Sequence, residues 1–249
     1  MNNLDQLQTA LSQGRALKII SGITNFNADR VDAVVKSATQ GGATFLDIAA
    51  DPQLVQLAKS LTHLPICVSA ITAEAFVAPV TAGADLIEIG NYEAFYSQGL
   101  NFSATDVLAL TADTRKLLPT ITLSVTVPHK LPLDQQVQLA VDLEKAGANI
   151  IQTEGAVSSN PSHAGVLGLI EKAAPTLAAA YEISRAVSIP VLCASGISSV
   201  TAPLAIAAGA AGVGVGAAVN RLDNEVAMIA VIRSLVESLA TVNKVTVNA

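Results

Sequence analysis

Large aromatic side chains are scarce in this chain of 249 residues, which has three tyrosines, five phenylalanines and no tryptophan. That scarcity excludes a core built around packed rings, although 51% of the residues are hydrophobic. The core must therefore consist mainly of alanine, valine, isoleucine and leucine. Strands of this composition are typical of a parallel sheet that helices cover on both faces.

Cysteine is equally sparse. Cys67 and Cys193 are the two cysteines, and each lies inside an apolar run. Two such thiols provide neither a disulfide framework nor a metal-ligand pattern. We expect both to be buried and reduced, as in a cytoplasmic protein.

The chain also lacks an excess of positive charge and any long apolar run. Its net charge of −6 disfavours nucleic acid and anionic membranes as partners. No segment reaches the roughly 18–20 unbroken apolar residues of a membrane span. The first residues lack the basic and apolar regions of a signal peptide. We therefore expect neither a nucleic-acid partner nor a membrane partner.

Short apolar runs alternate with segments whose apolar residues recur every three or four positions, which predicts strands alternating with helices. Eight such cycles fit the typical length of one (β/α)8 TIM barrel. The predicted strands cover residues 16–23, 44–49, 65–70, 85–90, 121–127, 149–155, 189–196 and 211–217. No linker interrupts them, so one domain is predicted over 1–249, with a capping helix at 1–15. The alternative is an open doubly wound sheet, which would place a glycine fingerprint after its first strand.

A glycine followed by alanine precedes four of the predicted strands. These corners are Gly42-Ala43, Gly83-Ala84, Gly147-Ala148 and Gly209-Ala210. Glycine supplies the left-handed residue that commonly ends a helix. The repeated corner supports a series of helix-to-strand connections.

The stretch from Ile189 to Asn220 contains two glycine-rich turns, one after each of the last two predicted strands. Bare backbone N–H groups at that place hold phosphate in (β/α)8 barrels. The residues predicted to bind phosphate are Ser195, Gly196, Ile197, Ser198, Gly214, Gly216 and Ala217. The alternative is that the glycines only permit tight turns. The ligand stays open, because sugar phosphates, ribulose-phosphate-like intermediates and flavin mononucleotide all carry a phosphate.

Charged residues also lie on the predicted strands, at Lys18, Asp47, Glu88 and Glu154. A carboxylate inside an apolar barrel costs free energy unless it is paired or protonated. The three acids are therefore candidate general acids or bases. Lys18 is either a member of a buried structural ion pair near the barrel floor or a nucleophile with a depressed pKa. Inward carboxylates could also bind a divalent cation, but no histidine lies on these strands, and we predict no metal.

Two long connections are predicted over the same end of the barrel, loop four at 91–103 and loop six at 156–176. Loops of this length are typical of binding loops or lids. Tyr92 in loop four and Asn160 and His163 in loop six are candidate substrate contacts, and His129 after strand five is a candidate acid or base. The alternative is a set of ordinary surface loops, with a short helix at 167–172.

Four segments carry a resemblance to one family: KIISGITNFN, FLDIA, IIQTEG, and CASGISS with the AAGAAGVGVGAAVNRL that follows it. They resemble the barrel proteins of cyanobacteria and algal plastids known as hypothetical chloroplast reading frame twenty-three, over nearly the whole chain. The resemblance implies a cytosolic or stromal location and carries no particular activity. More distantly, the glycine turns are similar to those of ribulose-phosphate-binding barrels, N-acylmannosamine-6-phosphate epimerases and thiazole synthases, whose catalytic residues find no match here.

These patterns favour an enzyme that uses acid–base chemistry, as an isomerase, epimerase, lyase or synthase, on a small phosphorylated metabolite. One alternative is a non-catalytic barrel that binds or senses such a metabolite. Another is a protein that binds flavin mononucleotide as its cofactor. The apolar, alanine-rich helices are also compatible with self-association into a homo-oligomer.

Overall fold

Eight parallel strands close into a barrel in the computed structural model, which describes residues 3–242. The strands follow one another in chain order, and the eighth pairs with the first to complete the circle. The strands are β1 Ala16–Ile20, β2 Phe45–Ala49, β3 Ile66–Ala70, β4 Leu86–Ile89, β5 Thr122–Thr126, β6 Ile150–Thr153, β7 Val191–Ala194 and β8 Gly212–Val215. The predicted TIM barrel is confirmed, and the open doubly wound sheet is wrong.

Helices precede, separate and follow the strands, and most of them pack around the outside of the barrel. They are α1 Asn3–Ser12, α2 Ala28–Gly41, α3 Pro52–Leu61, α4 Val77–Thr81, α5 Glu93–Tyr96, α6 Ala104–Leu117, α7 Leu133–Lys145, α8 Gly165–Ala186, α9 Ala202–Ala207, α10 Ala217–Asn220 and α11 Glu225–Ala240. The four predicted glycine corners all have positive φ, between 87° and 110°. They end the helices as expected and direct the chain into the next strand.

The amino-terminal helix α1 packs at the bottom of the barrel. Leu7 and Leu11 of α1 are buried against inward-facing residues such as Phe45, Leu86 and Leu192. The apolar spacing of α1 thus places one face on the barrel floor. Residues 1–2 of the predicted capping helix and residues 243–249 of the predicted domain lie outside the described residues.

Several predicted strands extend too far at their carboxyl ends. Strand six was predicted to reach residue 155 and strand seven residue 196, but β6 ends at Thr153 and β7 at Ala194. Positive φ values at Gly155 and Ser195 turn the chain away from the ladder at those points. Glu154, Ser195 and Gly196 therefore lie in the turns at the barrel mouth.

The predicted extent of loop six is also wrong. The 22-residue helix α8 begins at Gly165, so the loop ends at residue 164, before the middle of the predicted range. The short helix expected at 167–172 is part of α8. Gly168 lies inside α8, where a Cβ atom would approach the carbonyl oxygen of His163 to 2.1 Å. This glycine permits the loop to pack closely on the helix.

Candidate functional site

A cavity of about 430 Å³ opens at the carboxyl end of the barrel. The turns after β1, β4, β6, β7 and β8 line it, as the strand order of a TIM barrel requires. Two cations, Lys172 of α8 and Arg221 directly after α10, also lie in the wall. The cavity is large enough for a small metabolite.

The two glycine turns form one wall of this cavity. Ser195 and Gly196 have φ values of 72° and 76°, and a Cβ atom on Gly196 would meet Ala156 Cβ and the Lys172 carbonyl oxygen at 2.9 Å each. Within residues 3–242, no protein acceptor is found for the backbone N–H groups of Gly196, Ile197 and Gly216. Unpaired N–H groups beside a cavity are suited to an anion.

The other residues predicted for phosphate lie nearby. Ser198, Gly214 and Ala217 also line the cavity, and Ala217 is the first residue of α10. Two hydroxyls are already engaged, because Ser195 Oγ donates to Glu93 and Ser198 Oγ lies 3.2 Å from Thr201 Oγ1. The free backbone groups, rather than these hydroxyls, are therefore the donors that the turns offer.

A buried lysine lies below the cavity. Lys18 Nζ is 2.6 Å from Glu88 Oε2, 2.9 Å from Gln152 Oε1 and 3.6 Å from Asp47 Oδ2. Burial alone would lower the pKa of Lys18, but the charges of Asp47 and Glu88 outweigh that effect and raise it. Lys18 is consequently a fixed ammonium. Of the two roles considered for Lys18, the geometry matches the buried ion pair.

Asp47 shares this buried network. Its carboxyl accepts hydrogen bonds from Ser69 Oγ at 2.5 Å and from Asn91 Nδ2 at 3.1 Å. Burial raises the pKa of Asp47 to about 6, against the opposing charge of Lys18. Asn91 lines the cavity, whereas Asp47 lies behind it. The φ of Asn91 is 62°.

We expect the carboxyl carbon of Asp47 to titrate in NMR spectra with a midpoint near pH 6. Because the folded-state pKa exceeds the ordinary value of 3.8, the folded protein holds this proton more tightly than the unfolded chain does. The associated stability is complete below about pH 3.8 and is lost as the pH rises to about 6. Asp106, whose pKa is lowered by hydrogen bonds from Ser103, is the control and should titrate below 3.8. A midpoint for Asp47 as low as that of Asp106 would contradict the expectation.

Glu154 is the predicted acid that reaches the cavity. One of its oxygens accepts the hydroxyl of Tyr96 at 2.5 Å and lies 3.2 Å from His129 Nδ1. Burial raises the pKa of Glu154, and the hydrogen bond with His129 offsets part of that effect. The loop histidine predicted as an acid or base therefore contacts the cavity carboxyl directly.

Glu93, in loop four, is a site residue that sequence reasoning missed. Its carboxylate accepts hydrogen bonds from the N–H groups of Gly155 and Val157 and from the hydroxyl of Ser195. Lys172, Arg221 and Tyr96 were missed as well. Their signal in the sequence is a position just beyond a predicted strand or inside loops four and six, which many other residues share.

Three candidate substrate contacts lie away from the cavity. Tyr92 is fully buried, packs against Phe102 with ring centroids 4.2 Å apart, and lines a separate cavity of about 410 Å³. Asn160 and His163 are exposed in loop six, where His163 Nδ1 lies 2.6 Å from Glu171 Oε1. The long helix α8 takes up much of the loop that was expected to carry these two residues inward.

The inward carboxylates do not gather around a cation site. Within the described part of the chain, no group of three or more His, Cys, Asp and Glu side chains has a geometry that could hold a metal ion. The Lys18 ammonium lies between Asp47 and Glu88 instead.

None of the helices in residues 3–242 has the length and apolar composition needed to cross a membrane.

Relatives in sequence cover nearly the whole chain. The model of the family described as "Protein of unknown function (DUF561)" matches residues 1–245. "Uncharacterized protein ycf23" of Cyanophora paradoxa is 45% identical over 230 residues, which cover 92% of this chain and 93% of that protein. The protein of the same name from Pyropia yezoensis is 40% identical over 223 residues, which cover 90% of this chain and 82% of that protein.

Solved structures share the fold at low sequence identity. Thiamine phosphate pyrophosphorylase from Pyrococcus furiosus superposes with a TM-score of 0.61 and 18% identity, covering 93% of this chain and 98% of that chain. (S)-3-O-geranylgeranylglyceryl phosphate synthase from Thermoplasma acidophilum, in complex with substrate sn-glycerol-1-phosphate, gives 0.61 and 16%, covering 96% and 98%. A putative deoxyribose-phosphate aldolase from Toxoplasma gondii gives 0.57 and 17%, covering 94% and 99%. These likenesses agree with the barrel fold.

Proposed function

Given that this chain belongs to the DUF561 family, we propose that it is an enzyme that performs acid–base chemistry on a small phosphorylated metabolite. One observation carries the proposal: a single cavity is lined both by turns with unpaired backbone N–H groups and by a buried carboxyl whose pKa is raised. A ligand held by its phosphate would extend toward that carboxyl. Perturbed carboxyls in clefts are typical of acid–base sites.

The turns after β7 and β8 are the proposed phosphate site. Their unpaired N–H groups at Gly196, Ile197 and Gly216 supply donors, and Lys172 and Arg221 supply positive charge in the same wall. Three structural neighbours are named for phosphate compounds. Because the sequence identity is low, these names support only the class of ligand, which is a small phosphorylated molecule.

Glu154 is the proposed general acid or base, with His129 and Tyr96 as hydrogen-bond partners. A raised pKa brings the carboxyl toward the neutral range, in which it can both take up and release a proton. Isomerisation, epimerisation and lyase or synthase steps all need such a transfer. Lys18 is not proposed as a nucleophile, because that role requires a lowered pKa. Lys18, Asp47 and Glu88 instead form a charged support beneath the site.

The test is a thermal unfolding screen with inorganic phosphate, sugar phosphates and flavin mononucleotide. A ligand at about 100 times its Kd should raise the free energy of unfolding by about 2.7 kcal/mol. Stabilisation by a phosphorylated compound that the protein also converts, monitored by NMR, would support the enzyme. Stabilisation without conversion would favour a binding or sensing barrel, and retained flavin absorbance would favour flavin mononucleotide. If no phosphorylated compound stabilises the protein, the proposal fails.

Replacing Gly196 with alanine is expected to weaken inorganic phosphate binding at least about tenfold. The new Cβ atom would lie 2.9 Å from the Lys172 carbonyl oxygen, so the turn must move. Gly99→Ala is the matched control, because Gly99 also has positive φ, 81°, but nothing lies within 4 Å of its Cβ position. Isothermal titration calorimetry measures both variants. Equal affinities in the two variants would contradict a phosphate site at this turn.

A further inference from the structure

One carboxylate connects three loops at the mouth of the barrel. Glu93 belongs to loop four, and its Oε1 accepts the N–H groups of Gly155 and Val157 at 2.9 and 3.1 Å. Its Oε2 accepts the hydroxyl of Ser195 at 2.6 Å. The turns after β4, β6 and β7 are thereby tied together through one side chain.

The residue at the end of this connection has an unusual backbone. Ser195 has a φ of 72°, a left-handed conformation that costs a non-glycine residue free energy unless its surroundings hold it there. Its hydroxyl donates to Glu93 and accepts the N–H of Ala156 at 2.8 Å. These two hydrogen bonds fix the side chain and, through it, the start of the turn.

The next two residues are the ones proposed to bind phosphate, Gly196 and Ile197. We infer that Glu93 is a positioning residue that holds the Ser195–Gly196 turn in its phosphate-binding conformation, and so couples loop four to the phosphate site. This inference rests on the proposed function. The inference also predicts the direction in which phosphate affinity changes when Glu93 is replaced. Glu93 lines the cavity as a carboxylate, so its direct effect on a phosphate is repulsion. A positioning role makes its loss harmful to phosphate binding, whereas a purely electrostatic role makes its loss favourable.

The experiment compares Glu93→Asp, Ser195→Gly and the double variant, with inorganic phosphate as the probe. Asp keeps the charge but is one methylene too short to reach both Ser195 and loop six. We expect Glu93→Asp to weaken phosphate binding about tenfold. Glycine adopts positive φ without support, so the double variant should bind phosphate within about threefold of Ser195→Gly alone. Glu182→Asp, on the exposed face of α8, is the control and should bind as the wild type does.

Two binding results would overturn the inference: a Glu93→Asp variant that binds phosphate as tightly as the wild type, or a double variant that binds phosphate no more tightly than Glu93→Asp. Amide hydrogen exchange separates this outcome from a failure of the proposed function. Even if the wild type binds no phosphate, Glu93→Asp should accelerate exchange at Gly155 and Val157 about tenfold or more. The ladder amide of Ile151 in β6 should keep its wild-type exchange rate. Unchanged exchange at Gly155 and Val157 would show that Glu93 does not hold these loops.

Discussion

Replacing Lys18 with methionine is expected to lower the free energy of unfolding by about 3–5 kcal/mol near pH 8. The substitution keeps an unbranched stem of four heavy atoms but removes the ammonium that lies between Asp47 and Glu88. Two carboxylates would then be buried without a cation, and neither can reach water. Urea unfolding at a series of pH values measures the loss. The loss should shrink as the pH falls toward about 6, because Asp47 of the variant, without the Lys18 charge that lowers its pKa, takes up a proton above that pH.

Two further variants test the cause of this loss. Lys116→Met removes an ammonium from an exposed pair with Asp113 and should cost less than about 1 kcal/mol. Adding Asp47→Asn and Glu88→Gln to Lys18→Met removes the stranded charges and should recover part of the stability. If Lys18→Met costs no more than Lys116→Met, the buried network does not stabilise the barrel in the way its geometry indicates.

Replacing Glu154 with glutamine is expected to lower kcat by about 10²–10⁴-fold on the substrate that the ligand screen identifies. Glutamine keeps the shape of the side chain and can accept the Tyr96 hydroxyl, but it cannot exchange a proton. If Glu154 acts as a base, kcat/KM of the wild type rises with pH through the raised pKa of this carboxyl and then levels off. The variant should lack that rise.

Phosphate affinity provides the control for this variant. Because the Glu154 carboxyl contacts Tyr96 and His129 rather than the proposed phosphate turns, Glu154→Gln should bind inorganic phosphate within about threefold of the wild type. Glu154→Asp retracts the carboxyl but keeps its proton, so an intermediate rate is expected. A Glu154→Gln enzyme with the wild-type kcat and pH profile would exclude Glu154 as the acid or base.

The fold could be predicted from the sequence because its signals are local and repeated. Each strand is a short apolar run, and four helices end at the same Gly-Ala corner. An error in the bounds of one strand therefore does not change the predicted number of strands. The ends of strands were less predictable. Glu154 and Ser195 continue an apolar run in sequence, but positive φ at Gly155 and Ser195 stops the ladder one or two residues earlier.

The site could be predicted only where one segment carries its own chemistry. The glycines at 196 and 216 indicate turns with unpaired backbone N–H groups, and the predicted strand ends indicate Asp47 and Glu154 as acids that face the barrel interior. Glu93 carries no such signal, because its function depends on Gly155 and Ser195, which lie about 60 and 100 residues further along the chain. Contacts of that range follow from barrel closure and cannot be obtained from periodicity.

The pairing of β1 with β8 has a consequence for how the protein is made on a ribosome. Lys18 lies opposite Gly214, so the partner of the first strand is synthesised about 200 residues later. At about 5–20 residues per second, the first strand waits some 10–40 seconds for that partner. Until then, the edge of β1 stays unpaired and the Lys18 ammonium stays hydrated. The last strands to leave the ribosome therefore close the barrel, bury Lys18, Asp47 and Glu88, and form the glycine-turn wall of the cavity. A chain truncated before β8 would lack the closed barrel, the buried ion pairs and this wall.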